Sequence, residues 1–427
     1  MKPVLASETE LSPVLRGRAP AACRGCGHPL TTTFCDLGAT PLSNAMLRPE
    51  RAGEAESYFP LHAWVCDHCL LVQLEQFNAP AEIFSDYTYF SSYSKTWLDH
   101  AKSYSETMGD NLGLNADSFV VEVASNDGYL LKNFVARRIP CLGIEPARNV
   151  AEVARAAGVP TLVEFFGEAL ARKLASEGKA ADLIVANNVL AHVPELNDFV
   201  AGLKILLKRE GVITIEVPHL LNLIRETQFD TIYHEHFCYF SLASLRNILQ
   251  RHGLRIYDVQ ELPTHGGSLR VFACHQESKR VEAPAVQAVL RKEQNFGLGE
   301  LTTYRNFQAE VRRVKLDLLR FFVDAAAEGA HIACYGAAAK GNTLLNYCGI
   351  GKDLIDFAVD RSPHKQGLLL PGSRIPVYAP ERVALEKPDY LLILPWNLKD
   401  EIIGEMQHIR AWGGRFATAI PRLQIID

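Results

Sequence analysis

Ser118-Phe-Val-Val-Glu122-Val-Ala-Ser-Asn126-Asp-Gly128 is the stretch on which the reading of the fold turns. Its first six residues read as a buried strand, and Ala124 to Gly128 as a turn of small and polar residues. Tyr129 to Arg138 then has helical periodicity. The same rhythm recurs downstream. Cys141 to Glu145 reads as a strand, and Val150 to Ala157 as a helix closed by Gly158. Asp182–Asn187 and Gly211–Glu216 are two more strands, separated by a helix over Leu196–Leu207. Alternation of this kind implies a parallel sheet covered on both faces, hence an α/β fold.

In open parallel sheets ligands bind beyond the carboxyl ends of the strands. The first strand, which carries Glu122, offers Ser125, Asn126, Asp127 and Gly128. There, small residues admit a ligand to the backbone, and Asp or Asn can bind an ammonium. The second ends in Glu145, whose carboxylate can take both ribose hydroxyls and disfavours a ribose phosphate. The step from Glu122 to Glu145 is close to the about 20 residues usual for such a pair. Asn187 and Asn188 end the third strand, placed to reach the adenine or methionine end of a cofactor. A nicotinamide dehydrogenase is the competing reading. Its cofactor needs a glycine-rich turn that seats a pyrophosphate on a helix N-terminus. This turn has one glycine and two side chains that would crowd a diphosphate, so it favours S-adenosyl-L-methionine, which has no phosphate.

Upstream, Cys23-Arg-Gly-Cys26 and Cys66-Asp-His-Cys69 are two Cys-x-x-Cys knuckles separated by 39 residues. Each knuckle can present two thiolates to one ion, and Cys23, Cys26, Cys66 and Cys69 together complete a tetrahedral sulfur site for zinc. His28, Cys35, His62 and His68 are substitutes should one thiolate not ligate. Four thiolates leave no open coordination position, so this zinc is expected to be structural. The remaining cysteines are scattered among apolar neighbours and read as small hydrophobes. Downstream, a charged helical stretch (Ala285 to Gly329) leads into strand His331–Tyr335, a Gly/Ala turn, helix Leu344–Cys348, and strands Ile355–Val359 and Tyr390–Leu394. That is a second Rossmann-like domain. The expected organisation is a flexible leader (1–20), a zinc-binding domain (21–78), a methyltransferase core (79–283), and a helical linker with a C-terminal Rossmann-like domain (284–427).

The length of 427 residues fits two or three such domains, and 48% hydrophobic with 22% charged residues is the balance of a globular protein. A net charge of −5 argues against a nucleic-acid binder, which would need a basic face. No apolar run approaches the roughly 20 residues that cross a bilayer. No membrane or nucleic-acid partner is expected, the compartment is read as cytoplasmic, and a monomer is compatible with the sequence.

Tyr233-His234-Glu235-His236 packs three titratable residue types into four positions, enough for a base, its orienting partner and a hydrogen-bond donor. If extended, Tyr233 and Glu235 share a face; if a helical turn, Tyr233 and His236 come together. His192 could approach the same pocket. Two other readings stand beside this one: a His-x-His metal pair, and a capped turn whose histidines are structural. Thr264-His265-Gly266-Gly267-Ser268-Leu-Arg270 allows close backbone approach before a strand, with donors on Ser268 and Arg270.

The paired knuckles, Glu122-Val-Ala-Ser-Asn-Asp-Gly128, Tyr233-His-Glu-His236, His265-Gly-Gly-Ser268 and Tyr335-Gly-Ala-Ala-Ala-Lys-Gly-Asn342, taken in order, resemble one family from Cys23 to the C-terminus. It is that of the zinc-containing sugar C-methyltransferases, which act on nucleotide-linked 4-keto-deoxyhexoses. One departure is Ala124, where glycine is common. The resemblance implies a zinc-binding N-terminal domain, a class I methyltransferase core, and a C-terminal Rossmann-like domain that grips the substrate's nucleotide. It implies His236 as the base that takes the proton from the carbon beside the ketone, normally C3, with Tyr233, Glu235 and His192 bordering the site. Lys340, Gly341 and Asn342 would lie near the diphosphate or nucleoside, and His265, Gly267, Ser268 and Arg270 near the substrate. The chemistry agrees: a weak carbon acid needs a base near neutral pKa and a donor for the enolate oxygen. An O- or N-methyltransferase of a small metabolite would need no such base. A zinc-knuckle scaffold for RNA or protein would need a basic aromatic face, where this segment offers Glu50, Glu54 and Glu56.

Overall fold

The computed structural model describes residues 21–79, 91–93 and 95–427. The expected leader (1–20) and the start of the second segment near Ile83 lie outside the described residues.

Three strands, β1 (Thr32–Thr40), β2 (Phe59–Val65) and β3 (Val72–Leu74), form an antiparallel ladder in the knuckle segment. Behind it stands the main sheet, with β4 (Val120–Val123), β5 (Cys141–Ile144), β6 (Thr161–Leu162), β7 (Ala181–Asn187) and β8 (Leu207–Pro218). A short strand, β9 (Cys238–Tyr239), leaves the core to pair with β3, so the knuckle sheet is completed by a distant segment. The main sheet closes with β10 (Leu254–Leu262) and β11 (Ser268–His275), in the order β10-β11-β8-β7-β4-β5-β6. Only β11 runs antiparallel to its neighbours, the arrangement of a class I methyltransferase.

The apolar runs of the central strands are explained by burial on both faces. Val121, Val123, Ile184, Ala186, Ile213 and Ile215 pack against Phe199 and Leu203 of helix Leu196–Leu206. The alternate residues Val120, Leu183, Val185 and Val212 pack on the other face with Tyr104 and Met108 of helix Lys95–Asn111. Period-two alternation thus fills two separate cores. Glu122 interrupts the apolar run on the second face, where a carboxyl has no packing reason to be.

The charged stretch forms two helices, Pro284–Phe296 and Leu301–Ala327, ahead of a sheet ordered β14-β13-β12-β15-β16-β17. Its strands are β12 (Ile332–Tyr335), β13 (Phe357–Val359), β14 (Val377–Tyr378), β15 (Tyr390–Ile393), β16 (Arg415–Thr418) and β17 (Gln424–Ile426), all parallel except β17. The knuckle segment is wedged between the other two parts. Trp64 and Leu71 share a core with Leu245 and Ile248, whereas Phe34 and Leu61 share one with Phe307 and Leu345. The Phe34 ring stacks on Phe307 at 4.6 Å. Fully burying an aromatic of that size contributes roughly 3 kcal/mol, so these contacts hold the three parts as one body. Among the described residues no helix is long and apolar enough to cross a membrane.

Candidate active site

The two knuckles meet. Sulfurs of Cys23, Cys26, Cys66 and Cys69 all lie within 4.8 Å of one another, with Cys23–Cys69 and Cys26–Cys66 each at 3.5 Å. Zn–S bonds of about 2.3 Å in a tetrahedron set sulfurs about 3.8 Å apart, so the cage fits zinc. The four expected thiolates thus come together, and of the substitutes His28 and His68 each bring a ring nitrogen within 4.8 Å of Cys26 Sγ. His62 instead bonds Thr33 at 3.0 Å, Cys35 is buried in the core, and His28 stacks on His68 at 3.9 Å. Sequence reasoning missed Gln73, which is buried and donates to Cys23 Sγ at 3.1 Å. Such a donor orients a ligand sulfur from outside the cage.

At the carboxyl edge of the main sheet, the turn after β4 is left-handed at Ala124 (φ 56°), Asn126 (φ 49°) and Gly128 (φ 77°). The left-handed Ala124 explains why glycine suits that position in the family. Gly143 on β5 lets the turn fold over its neighbour, since a Cβ there would stand 2.3 Å from Ser125 Oγ. Glu145 fixes the turn from the second strand end: Oε2 accepts the Asn126 N–H at 2.9 Å and Oε1 the Ala147 N–H at 2.8 Å. A carboxylate oxygen has two lone pairs, so each retains one for a ribose hydroxyl. The Ser91 and Ser92 amides donate to Asn126 Oδ1 and Asp127 Oδ2 at 2.8 and 3.0 Å, closing the turn from above.

Among the described residues, five buried polar atoms along this edge have no partner: Glu122 Oε2, Ser125 Oγ, Asp127 Oδ1, Asn187 Oδ1 and Asn188 Nδ2. Buried polar atoms rarely stay unpaired, so they mark where a polar cofactor is accommodated. Burial, with Glu145 and Asp127 close by, pushes the Glu122 carboxyl well above its usual range. S-adenosyl-L-methionine, which carries an ammonium, a sulfonium and ribose hydroxyls, fits this acidic, acceptor-rich edge.

The reacting centre lies beside the third strand end. Tyr233 to His236 is a tight turn, with the His236 N–H bonded to Tyr233 O at 2.8 Å, so tertiary structure selects the turn over the extended form. Tyr233 Oη reaches His236 Nε2 at 2.8 Å. His236 Nδ1 donates to Thr231 O at 3.0 Å, a carbonyl that can only accept, which leaves Nε2 as the basic nitrogen. The His192 ring stands 4.6 Å from that of His236, and the Phe237 N–H bonds Ala191 O at 2.7 Å, which ties the turn to the loop after Asn187. Burial lowers the pKa of His236 well below the usual imidazole range, and the nearby His192, His265 and Lys340 lower it further. Burial likewise brings His192 down to about 4. Glu235 is buried and pushed up to about 7. His234 points the other way, to Pro60 O at 3.2 Å, so the two histidines do not form a metal pair.

The C-terminal part closes the centre. Lys340 Nζ bonds Asn397 Oδ1 at 2.7 Å and lies 4.8 Å from the Trp396 ring centre. Trp396 Nε1 donates to buried Asp230 Oδ2 at 2.7 Å. Gly266 is obligatory here, with φ 86° and a Cβ position 2.4 Å from Trp396 Cη2. Asp230, Trp396 and Asn397 were not singled out from sequence. Applying the strand-end rule to β15 would have pointed to the last two. Of the expected substrate residues, His265 and Lys340 lie at the centre. Gly267 abuts Asn222, and Ser268 donates to Thr264 O at 2.9 Å. Arg270 is held by Glu216 at 2.6 Å, and Asn342 donates to Ser43 O at 2.6 Å.

Residues 263–421 match the family described as "C-methyltransferase C-terminal domain", residues 100–259 a "Methyltransferase domain", and residues 23–84 a zinc binding domain. The chain is 37% identical to C-methyltransferase NovU of Streptomyces niveus over 405 residues, 95% of this chain and 96% of that one. Among solved structures, the PH0226 protein from Pyrococcus horikoshii covers 47% of this chain and 99% of its own at 14% identity and TM-score 0.36. A Burkholderia thailandensis 1,6-didemethyltoxoflavin-N1-methyltransferase covers 48% and 95% at 18% identity and TM-score 0.34. Likenesses this low carry no argument.

Proposed function

The chain belongs to the zinc-containing, S-adenosylmethionine-dependent C-methyltransferases, and from that premise we propose that it methylates C3 of a nucleoside-diphosphate-linked 4-keto-deoxyhexose. The observation that carries this reading is the Tyr233–His236 pair, whose basic Nε2 faces a hydroxyl beside the cofactor edge. Such a pair serves abstraction of a proton next to a carbonyl, which methyl transfer to oxygen or nitrogen does not need.

With Nδ1–H held by Thr231 O, the Tyr233 hydrogen turns from His236 Nε2 to the C4 oxygen, and the freed Nε2 lone pair takes the C3 proton as the C–H electron pair passes into the enolate. Tyr233 Oη thus donates to the developing oxyanion at C4. The Lys340 ammonium adds a favourable field for that charge. The cofactor, when bound, supplies an electrophilic sulfonium methyl, which C3 accepts as the S–CH3 bond breaks. Burial keeps His236 unprotonated at neutral pH, and the enolate charge raises its basicity as the proton moves. Glu122, Ser125, Asp127, Glu145, Asn187 and Asn188 hold the cofactor, and Asn342 and the residues after β12 border the nucleotide. A substrate and cofactor of this kind support a cytoplasmic location.

The test uses deuterated water and thymidine, cytidine and guanosine diphosphate 4-keto-deoxysugars. The expected result is a mass gain of one methylene for one nucleotide, and C3–H exchange that His236→Ala abolishes while cofactor affinity stays nearly unchanged. Methylation without exchangeable C3–H would put the methyl on a heteroatom and end the reading.

A further inference from the structure

The zinc-bearing segment reaches the reacting centre. Asn44, in the loop between β1 and β2, donates from Nδ2 to Glu235 Oε1 at 2.5 Å across 191 residues of sequence. The loop is pinned on both sides. Asn342 Nδ2 donates to Ser43 O at 2.6 Å, and Leu47 and Leu369 exchange backbone hydrogen bonds at 2.8 and 3.0 Å. Thr343 Oγ1 donates to Ile232 O at 3.1 Å, one residue before the Tyr233–His236 turn. A loop of the zinc segment, the turn and helix Ala339–Cys348 therefore meet at one point.

Glu235 is only 4% exposed, yet its side chain receives this bond from a residue of another part of the molecule. A buried carboxyl stripped of its donor must find another, and here its movement would drag the turn that carries Tyr233 and His236.

We infer that Asn44 is a positioning residue, through which the zinc-bearing segment holds Glu235 and so sets the aim of the Tyr233–His236 pair. This rests on the proposed role of the turn. Removing the bond should misplace the base without touching the cofactor edge, and a misplacement of about 1 Å is worth on the order of 10²-fold in rate.

The test compares wild type, Asn44→Ala, Glu235→Ala and the double variant as full-length, zinc-loaded enzyme. Asn44→Ala should lower kcat about 10- to 100-fold, with sugar KM, cofactor Kd and zinc content within about twofold. The double variant should be no slower than the slower single variant, because both break one link. Asn44→Leu, of similar size and without the donor, should match the alanine variant, and it decides the matter if alanine costs zinc. Normal turnover of Asn44→Leu, fully multiplicative losses in the double variant, or a change in KM alone would overturn the inference while Glu235→Ala stays slow. A Glu235→Ala enzyme with wild-type turnover would remove the role of the turn itself, and the inference with it.

Discussion

Replacing Glu145 by alanine probes the cofactor edge most directly. The carboxylate is 5% exposed and accepts the Asn126 and Ala147 amides at 2.9 and 2.8 Å. On the proposed placement, its two remaining lone-pair directions serve the ribose hydroxyls. Hydrogen bonds to a charged acceptor are worth about 1.5–3 kcal/mol each. Water entering the vacated space recovers part of that, so losing both ribose contacts should cost about 3 kcal/mol. At 1.4 kcal/mol per decade, the cofactor Kd rises on the order of 100-fold. Orphaning the two amides should also lower the melting temperature by a few degrees. Titration calorimetry with S-adenosylmethionine and S-adenosylhomocysteine at pH 8 is the assay, with turnover read at saturating cofactor. Glu145→Gln keeps an acceptor on one side but turns an NH2 toward a donor, so it should fall nearer to alanine than to wild type. A Kd within threefold of wild type, or a lost kcat at unchanged affinity, would refute the placement of the ribose.

Because His236 must be neutral to act and its pKa is held well below the usual imidazole value, kcat/KM should fall only on the acid side, with its inflection below pH 6.5. Lys340→Met removes a positive neighbour, so His236 should titrate higher and the inflection move up; a downward move would contradict the assignment. Glu235, raised from 4.5 to about 7 by burial, binds its proton more tightly folded than unfolded. The stability it contributes, up to about 3 kcal/mol, is present below pH 4.5 and is lost as pH rises through 7. Glu235→Gln should therefore gain in melting temperature relative to wild type between pH 5 and 8; a constant difference would show that the carboxyl is not held protonated. Chelation of zinc, or Cys66→Ser, should lower the melting temperature and turnover together, whereas cobalt in the thiolate cage should restore both with a sulfur-to-cobalt absorption band. A cobalt enzyme that is folded but inactive would mean the metal does more than hold the fold.

The strand and helix rhythm, the Glu122 to Glu145 spacing and both knuckles were legible because each is a local pattern. Backbone periodicity and a Cys-x-x-Cys turn are fixed by neighbours within a few positions. The residue missed beside the zinc, Gln73, has no such pattern; it matters only because the ladder brings β3 against Cys23. Tyr233 to Glu235 or Tyr233 to His236 was a choice between two local periodicities, and local energetics do not decide it. The Phe237 bond to Ala191 and the Thr343 bond to Ile232 do.

By itself, then, the sequence determined an α/β core with an acidic strand-end site, a tetrathiolate cage, and a local cluster of histidine, tyrosine and glutamate. Tertiary structure alone decided which of those groups meet: Asn44 with Glu235, Asp230 with Trp396, Asn342 with Ser43, across 191, 166 and 299 residues. The physical reason is that such pairs have no local energetic signature. They form only when two apolar interfaces, one around Trp64 and one around Phe34 and Leu345, have brought separate parts of the chain into register.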